Sequence, residues 1–142
     1  MYEFLLKAHS GLRYLVLLGL VVVVIKSLMG MLNKQPYSSL DNKLGLFTFI
    51  FTHTQLLLGL LLYFVSPFVQ FGGATMSDKT TRYWTVEHIT GMLVAVVLIT
   101  LARATSKRMP IDADKHKRMF IFNFVALVVI IAVIAISGRK IV

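Results

Sequence analysis

Four long apolar runs separated by short polar stretches organise the chain. The first covers residues 5–25 and is interrupted only near its start, by Lys7, His9 and Arg13. The second covers 44–65, with Ser39 and Asp41 as candidate N-caps and Ser66-Pro67 as its stop. The third covers 83–102 and the fourth 119–136. Each holds about 18–22 residues, enough at about 1.5 Å per residue to bridge a hydrocarbon core of about 30 Å. The β-branched density of the first and fourth runs would suggest strands in water. In lipid only helices and closed barrels satisfy the backbone, so four continuous runs predict four helices, over about 5–26, 43–66, 82–104 and 117–137. The connections 26–43, 66–82 and 103–118 are short. The expected fold is therefore all-α, one integral membrane domain over 1–142, built as a transmembrane up-down-up-down antiparallel four-helix bundle. Polar residues inside the first run, with no small-residue cleavage site after it, argue against a cleavable signal peptide.

Composition narrows the solvent. Of 142 residues, 57% are hydrophobic and 15% charged, and the mean hydropathy is +0.79. Soluble domains carry about 25% charged and about 45–50% apolar residues. A soluble fold of this length would expose long Val/Ile/Leu runs. An ordinary cytosolic domain, a disordered tail and a disulfide scaffold are all excluded, the last because there is no cysteine.

The net charge of +9 matters through its placement. Lys26, Lys34, Lys43, Arg103, Lys107, Arg108, Lys115, Lys117 and Arg118 fall on the side of the first and third connections. Lys7, Arg13, Lys79, Arg82, Arg139 and Lys140 fall on the side of the termini. This bias predicts the first side as cytoplasmic and both termini as outward-facing. It fits anionic headgroups, not nucleic acid. Tyr63, Phe64, Phe68, Phe71, Tyr83 and Trp84 gather at the outer end, as an interfacial belt should.

Ionisable residues inside an apolar span point to function. His9 lies four residues after Leu5, and His88 four after Trp84, so each is roughly 6 Å inside the same outer end. His53 lies near mid-span, and His116 among Lys115, Lys117 and Arg118, where a solvated surface position is expected. In an up-down bundle the first and third helices face each other across the axis, so His9 and His88 are the candidate axial ligands of a haem iron. Arg13, one turn below His9, is placed to meet a propionate, a quinone oxygen or Glu87. Glu87, beside His88, is a candidate supporting acid. Ser10-Gly11 and Gly91 are candidates for close approach of a flat ring or a neighbouring helix. The plainer readings are hydrated interfacial positions for His9 and His88, an outward-snorkelling Arg13, and a His53 bonded to Thr, Gln or Tyr within the bundle. His53 also stands as a third candidate cofactor residue, paired with His88 if the helices tilt. Gly45, Gly59 and Thr52 read most simply as helix-packing residues.

The stretches His9-Ser10-Gly11-Leu12-Arg13, Thr52-His53-Thr54-Gln55-Leu56-Leu57-Leu58-Gly59-Leu60 and Tyr83-Trp84-Thr85-Val86-Glu87-His88-Ile89-Thr90-Gly91 resemble a family of small bacterial four-helix membrane proteins commonly labelled cytochrome-b-like. The likeness continues through 63–72. More distantly, the His-bearing helices resemble the four-helix units of b-type cytochromes and haem A synthase. The resemblance implies a multi-pass inner-membrane protein with haem b, and singles out His9, Arg13, His53, Glu87 and His88 without deciding which two histidines bind iron.

Three functions are open at this point. One is a haem-b protein passing electrons between a quinol pool and a respiratory partner, with quinone as a second candidate cofactor. Another is a haem-free accessory subunit of a larger membrane complex, or a homo-oligomer. A third is a proton or solute pathway through His53, Glu87 and Arg13. Hydrolytic zinc, P-loop and dinucleotide motifs are absent, so the chain, if redox-active, is expected to be an electron carrier and not a hydrolase or transferase.

Overall fold

In the computed structural model, which describes residues 1–73 and 75–137, the chain is all-helical. Arg139 and Lys140, counted above on the outer side, lie outside the described residues. Four helices are long and apolar enough to cross a membrane: α1 (Tyr2–Leu32), α2 (Ser39–Val65), α3 (Lys79–Ser106) and α4 (Asp112–Ile136). α1 packs against α2 and α4, and α3 packs closely on α4 and more loosely on α2. This leaves α1 and α3 across the bundle from each other.

Each helix extends beyond its apolar run at one end or both, and a polar side chain caps the start of α2 and of α3. α2 begins one residue earlier than the candidate caps suggest. Ser38 is its N-cap, accepting from the Asp41 N–H, and Asp41 Oδ2 takes the Ser38 N–H at 2.8 Å, a reciprocal capping box. Asp41 also meets Lys26 Nζ at 2.9 Å, tying α2 to α1. α1 ends in a Schellman turn: Lys34 takes a positive φ of 53°, and the Gln35 N–H bonds the Gly30 carbonyl at 2.9 Å. Ser66 caps the end of α2 just before Pro67, as the sequence indicates. Asp78 caps α3 by accepting from the Thr81 N–H and hydroxyl, and these bonds hold its carboxyl below the usual carboxylate range.

The core is narrow and the surface apolar. Val16, Leu20, Ala95, Ile99, Ala126, Ile130 and Ile134 fill the middle, and Val23, Ala102 and Met119 form a second cluster toward the Ser106 end of α3. Leu18, Ile25, Phe47, Leu57, Val97 and Val128 are all exposed. The buried set instead includes Ser27, Asp41, Thr48, Thr52, Thr85, Arg103, Ser106 and Asn123. Polar groups therefore point inward across much of the bundle. Asn123 donates to the Met119 carbonyl of its own helix at 2.8 Å, and Arg103 to the Asn42 carbonyl at 3.2 Å.

His116 corrects the expectation of a solvated residue. It is fully buried, with its Nε2 at 3.1 Å from the Gln35 carbonyl and its ring 5.2 Å from that of Tyr37. The slot exists because Gly30 has no side chain: a Cβ there would lie 2.4 Å from the imidazole. Burial raises the neighbouring Tyr37 phenol above its ordinary range. The charged neighbours in sequence misled because successive helical positions face different directions; Lys117 is exposed while His116 turns in.

Gly30→Ala should therefore lower stability by about 1–3 kcal/mol, the usual consequence of overpacking a filled site. A thermal unfolding scan in detergent should show a lower midpoint, and an unchanged midpoint would refute the tight Gly30–His116 seat.

Candidate functional site

A cavity of about 680 Å³ lies at the end of the bundle where α1 and α3 begin and α2 finishes. That size falls within the range of small-molecule and cofactor sites, about 300–1,000 Å³. His9 and Arg13 on α1, Thr52, Gln55 and Gly59 on α2, and Glu87 and His88 on α3 all line it.

His9 and His88 come together from opposite sides of the bundle, their ring centres 6.3 Å apart and their planes at 74°. Each ring has a built seat. His9 sits against Gly59, where a Cβ would lie 3.1 Å from its Cε1. Gly59 thus seats a histidine and is not only a packing residue. Gln55 donates from Nε2 to the His9 carbonyl at 2.7 Å, fixing α2 against α1 at this level.

His88 is positioned by a feature with no sequence signal that was read. Residues Tyr83–Glu87 form a π-helical turn, in which the His88 N–H bonds the Tyr83 carbonyl five residues back. Single π turns interrupt α-helices mostly at functional sites, and they shift the facing of the residues that follow. Within this turn the Thr85 carbonyl accepts from the Tyr63 hydroxyl at 2.7 Å. The Thr85 hydroxyl, in turn, accepts from the Gln70 N–H at 3.0 Å and so anchors the connection between α2 and α3. Tyr83 donates to the Val133 carbonyl of α4 at 3.1 Å and places its oxygen 3.4 Å from His88 Nδ1. Trp84 packs on the same ring at 5.1 Å.

The charged candidates are distributed differently from the expectation. Glu87 pairs with Arg82 at 2.8 Å, on the rim, in place of the pairing with Arg13 that the sequence left open. Arg13 donates from Nη2 to the Tyr14 hydroxyl at 2.8 Å, while its Nε is buried without a partner. His9 Nδ1, Thr52 Oγ1 and Gln55 Oε1 are also buried and unpartnered. A buried polar atom left in this state costs about 1–3 kcal/mol, and the four residues that carry these atoms all line the cavity.

The glycines divide. Ser10 lines the cavity, Gly11 is exposed with nothing nearby, and Gly91 abuts α4, where a Cβ would lie 2.3 Å from Val133 Cγ2. Gly91 therefore closes a helix contact and opens no room for a ring.

His53 does not line the cavity. Its Nδ1 donates to the Phe49 carbonyl at 2.8 Å, and its Nε2 lies 3.1 Å from the Thr100 hydroxyl oxygen, whose proton the Val96 carbonyl also takes at 2.7 Å. It is a strut between α2 and α3, the plainer of its two readings. Sequence reasoning passed over Gln55, Tyr83 and Arg82. Gln55 carried the signal that could have found it: an amide midway along an apolar run, one turn from Gly59.

Two imidazoles on opposite sides of one metal ion set their ring centres about 6 Å apart, given metal–nitrogen bonds of about 2 Å and ring centres roughly 1 Å behind each nitrogen. The His9–His88 separation meets that requirement. Among the described residues no group of three or more His, Asp or Glu side chains is gathered for a bare metal ion. The donor set is thus two imidazoles, suited to an ion whose remaining ligands come with it. Comparison with protein-family models, curated proteins and solved structures finds no significant match.

A double-mutant cycle tests the strut. His53→Phe and Thr100→Val should be coupled by about 0.5–1.5 kcal/mol of stability, the worth of one interior hydrogen bond. Additive effects would mean that His53 and Thr100 act separately.

Proposed function

We propose that the chain is a haem-b-binding electron-transfer protein of a bacterial inner membrane. The observation that carries this reading is the pair His9 and His88, ring centres 6.3 Å apart, both lining a cavity of about 680 Å³. The resemblance of these stretches to cytochrome-b-like membrane proteins agrees with it. In this reading the four helices insert as an up-down antiparallel bundle, with both termini and the 66–82 connection periplasmic and the Lys/Arg-rich connections cytoplasmic.

Haem b, when bound, supplies one-electron redox chemistry, and the protein's levers on it are ligands, second-shell hydrogen bonds and burial. His9 and His88 would hold it. The Tyr83 hydroxyl beside His88 Nδ1 orients that ring, and the Gly59 seat and the Gln55 tether orient the other. Lys79, exposed at the rim, supplies positive charge there, while Arg82 is paired with Glu87. The connection carrying Phe68 and Val69 covers part of the cavity and limits water access. The donor is a quinol pool and the acceptor a respiratory partner, either a larger membrane complex or a second copy meeting the exposed apolar surface.

The protein purified in detergent after expression with ample haem should give a reduced-minus-oxidised spectrum with sharp haem b bands. His9→Ala and His88→Ala should each abolish them, and His53→Ala should leave them. A featureless spectrum would favour a haem-free accessory subunit. Bands that survive His9→Ala and vanish in His53→Ala would overturn the ligand pair.

A further inference from the structure

We propose that the α3–α4 face at the end of the bundle away from the cavity binds an anionic phospholipid, its phosphate held by Arg118 and Arg108. The proposal rests on the membrane-inserted bundle and is independent of haem. Folding separates the charges at this end. Asp41 is buried against Lys26, and Asp112 accepts the Tyr37 N–H at 3.0 Å, so among the described residues Asp114 is the one acid left exposed here. Lys34, Lys43, Lys107, Arg108 and Lys117 are all exposed. At the cavity end, by contrast, exposed Lys7 and Lys79 stand with exposed Glu3 and Asp78. The uncompensated cationic surface therefore belongs to one end.

Arg118 gives this surface a definite place. It is the last residue before the apolar run that begins at Met119, at the boundary between hydrocarbon and headgroups. Its guanidinium lies 4.9 Å over the Phe122 ring, and its Nη1 is 3.5 Å from Thr105 Oγ1, which draws it to the seam with α3. Among the described residues the ion pairs are Lys26–Asp41 and Arg82–Glu87, so no carboxylate neutralises Arg118 or Arg108, not even Asp114 one turn before Arg118. The chain folds back after α3, where the Arg108 N–H meets the Thr105 carbonyl at 3.2 Å, within a turn of the same seam. A guanidinium is a planar fork of N–H donors that matches a phosphate. Toward the hydrocarbon, Leu101, Val97 and Val94 follow Thr105 down one face of α3, and Val125 follows Arg118 on α4, all of them exposed. A free phosphate would use the cations and leave this apolar strip bare. A zwitterionic headgroup would bring its own cation among Lys107, Arg108 and Lys117. An anionic phospholipid matches both the cations and the strip.

Native mass spectrometry of the detergent-purified full chain, titrated with phosphatidylglycerol and with phosphatidylcholine of the same acyl chains, tests this site. Phosphatidylglycerol should be retained as a single adduct at a clearly lower midpoint than phosphatidylcholine. Arg118→Gln and Arg108→Gln should each raise that midpoint about fivefold, the usual worth of one cation beside an anionic lipid surface. Lys7→Gln, at the cavity end, should leave it unchanged. Arg118→Lys, which keeps the charge and loses the fork, should fall between the unaltered chain and Arg118→Gln. If Arg118→Gln does not fold, Arg108→Gln in the exposed turn decides alone. Equal midpoints for the two lipids, or a folded arginine-to-glutamine variant whose midpoint does not move, overturn the proposal. Displacement of the lipid by an equal concentration of inorganic phosphate would reduce the site to one for free anions and overturn it too. The readout is lipid mass, so a protein without haem bands can still uphold the lipid site, and a haem-loaded one can still refute it.

Discussion

A polar side chain turned into an apolar-walled bundle must find its hydrogen-bond partner inside the bundle. Large hydrophobic side chains cover the outside of all four helices, while Asp41, Arg103, Asn123, His116 and Thr85 are buried. Nearly every feature of the fold answers this constraint. Asp41 gathers the Ser38 cap and Lys26; His116 takes the Gln35 carbonyl; Asn123 and Thr100 bond back to their own helices. Because the rule is met so widely, the places where it is not met carry information. Of five buried side-chain atoms without partners among the described residues, four belong to His9, Arg13, Thr52 and Gln55 around one cavity.

The backbone irregularity beside His88 is likewise tied into the bundle, because the Tyr63 hydroxyl of α2 donates to the Thr85 carbonyl within the π turn. The Thr85–Gln70 and Tyr83–Val133 bonds then join the π turn to the α2–α3 connection and to α4. His88 is thereby held from three elements, and His9 from α2 through Gly59 and Gln55. Both rings are thus held by the surrounding elements themselves.

The four helices were legible from the apolar runs alone, since a run of about 20 residues leaves few alternatives. The meeting of His9 and His88 was legible from equal depth and from the helix order. Side-chain direction within a short polar stretch was not. Lys115, Lys117 and Arg118 made His116 read as surface, although one helical step turns it onto Gly30. The π turn was also invisible, because Tyr83-Trp84-Thr85-Val86-Glu87 reads as ordinary helix and its conformation is set by distant partners. Glu87 was read as a partner of His88 or Arg13 because adjacency in sequence does not show that Arg82, five residues back, reaches it across the π turn.

The central claim is that His9 and His88 together hold one haem iron. Low-temperature electron paramagnetic resonance of the oxidised, haem-loaded protein tests it most directly. Two imidazole ligands with planes near the observed 74° should give a low-spin ferric signal of strong anisotropy. A high-spin ferric signal, showing an iron with one protein ligand, or the absence of any protein-bound haem signal after loading, would contradict it.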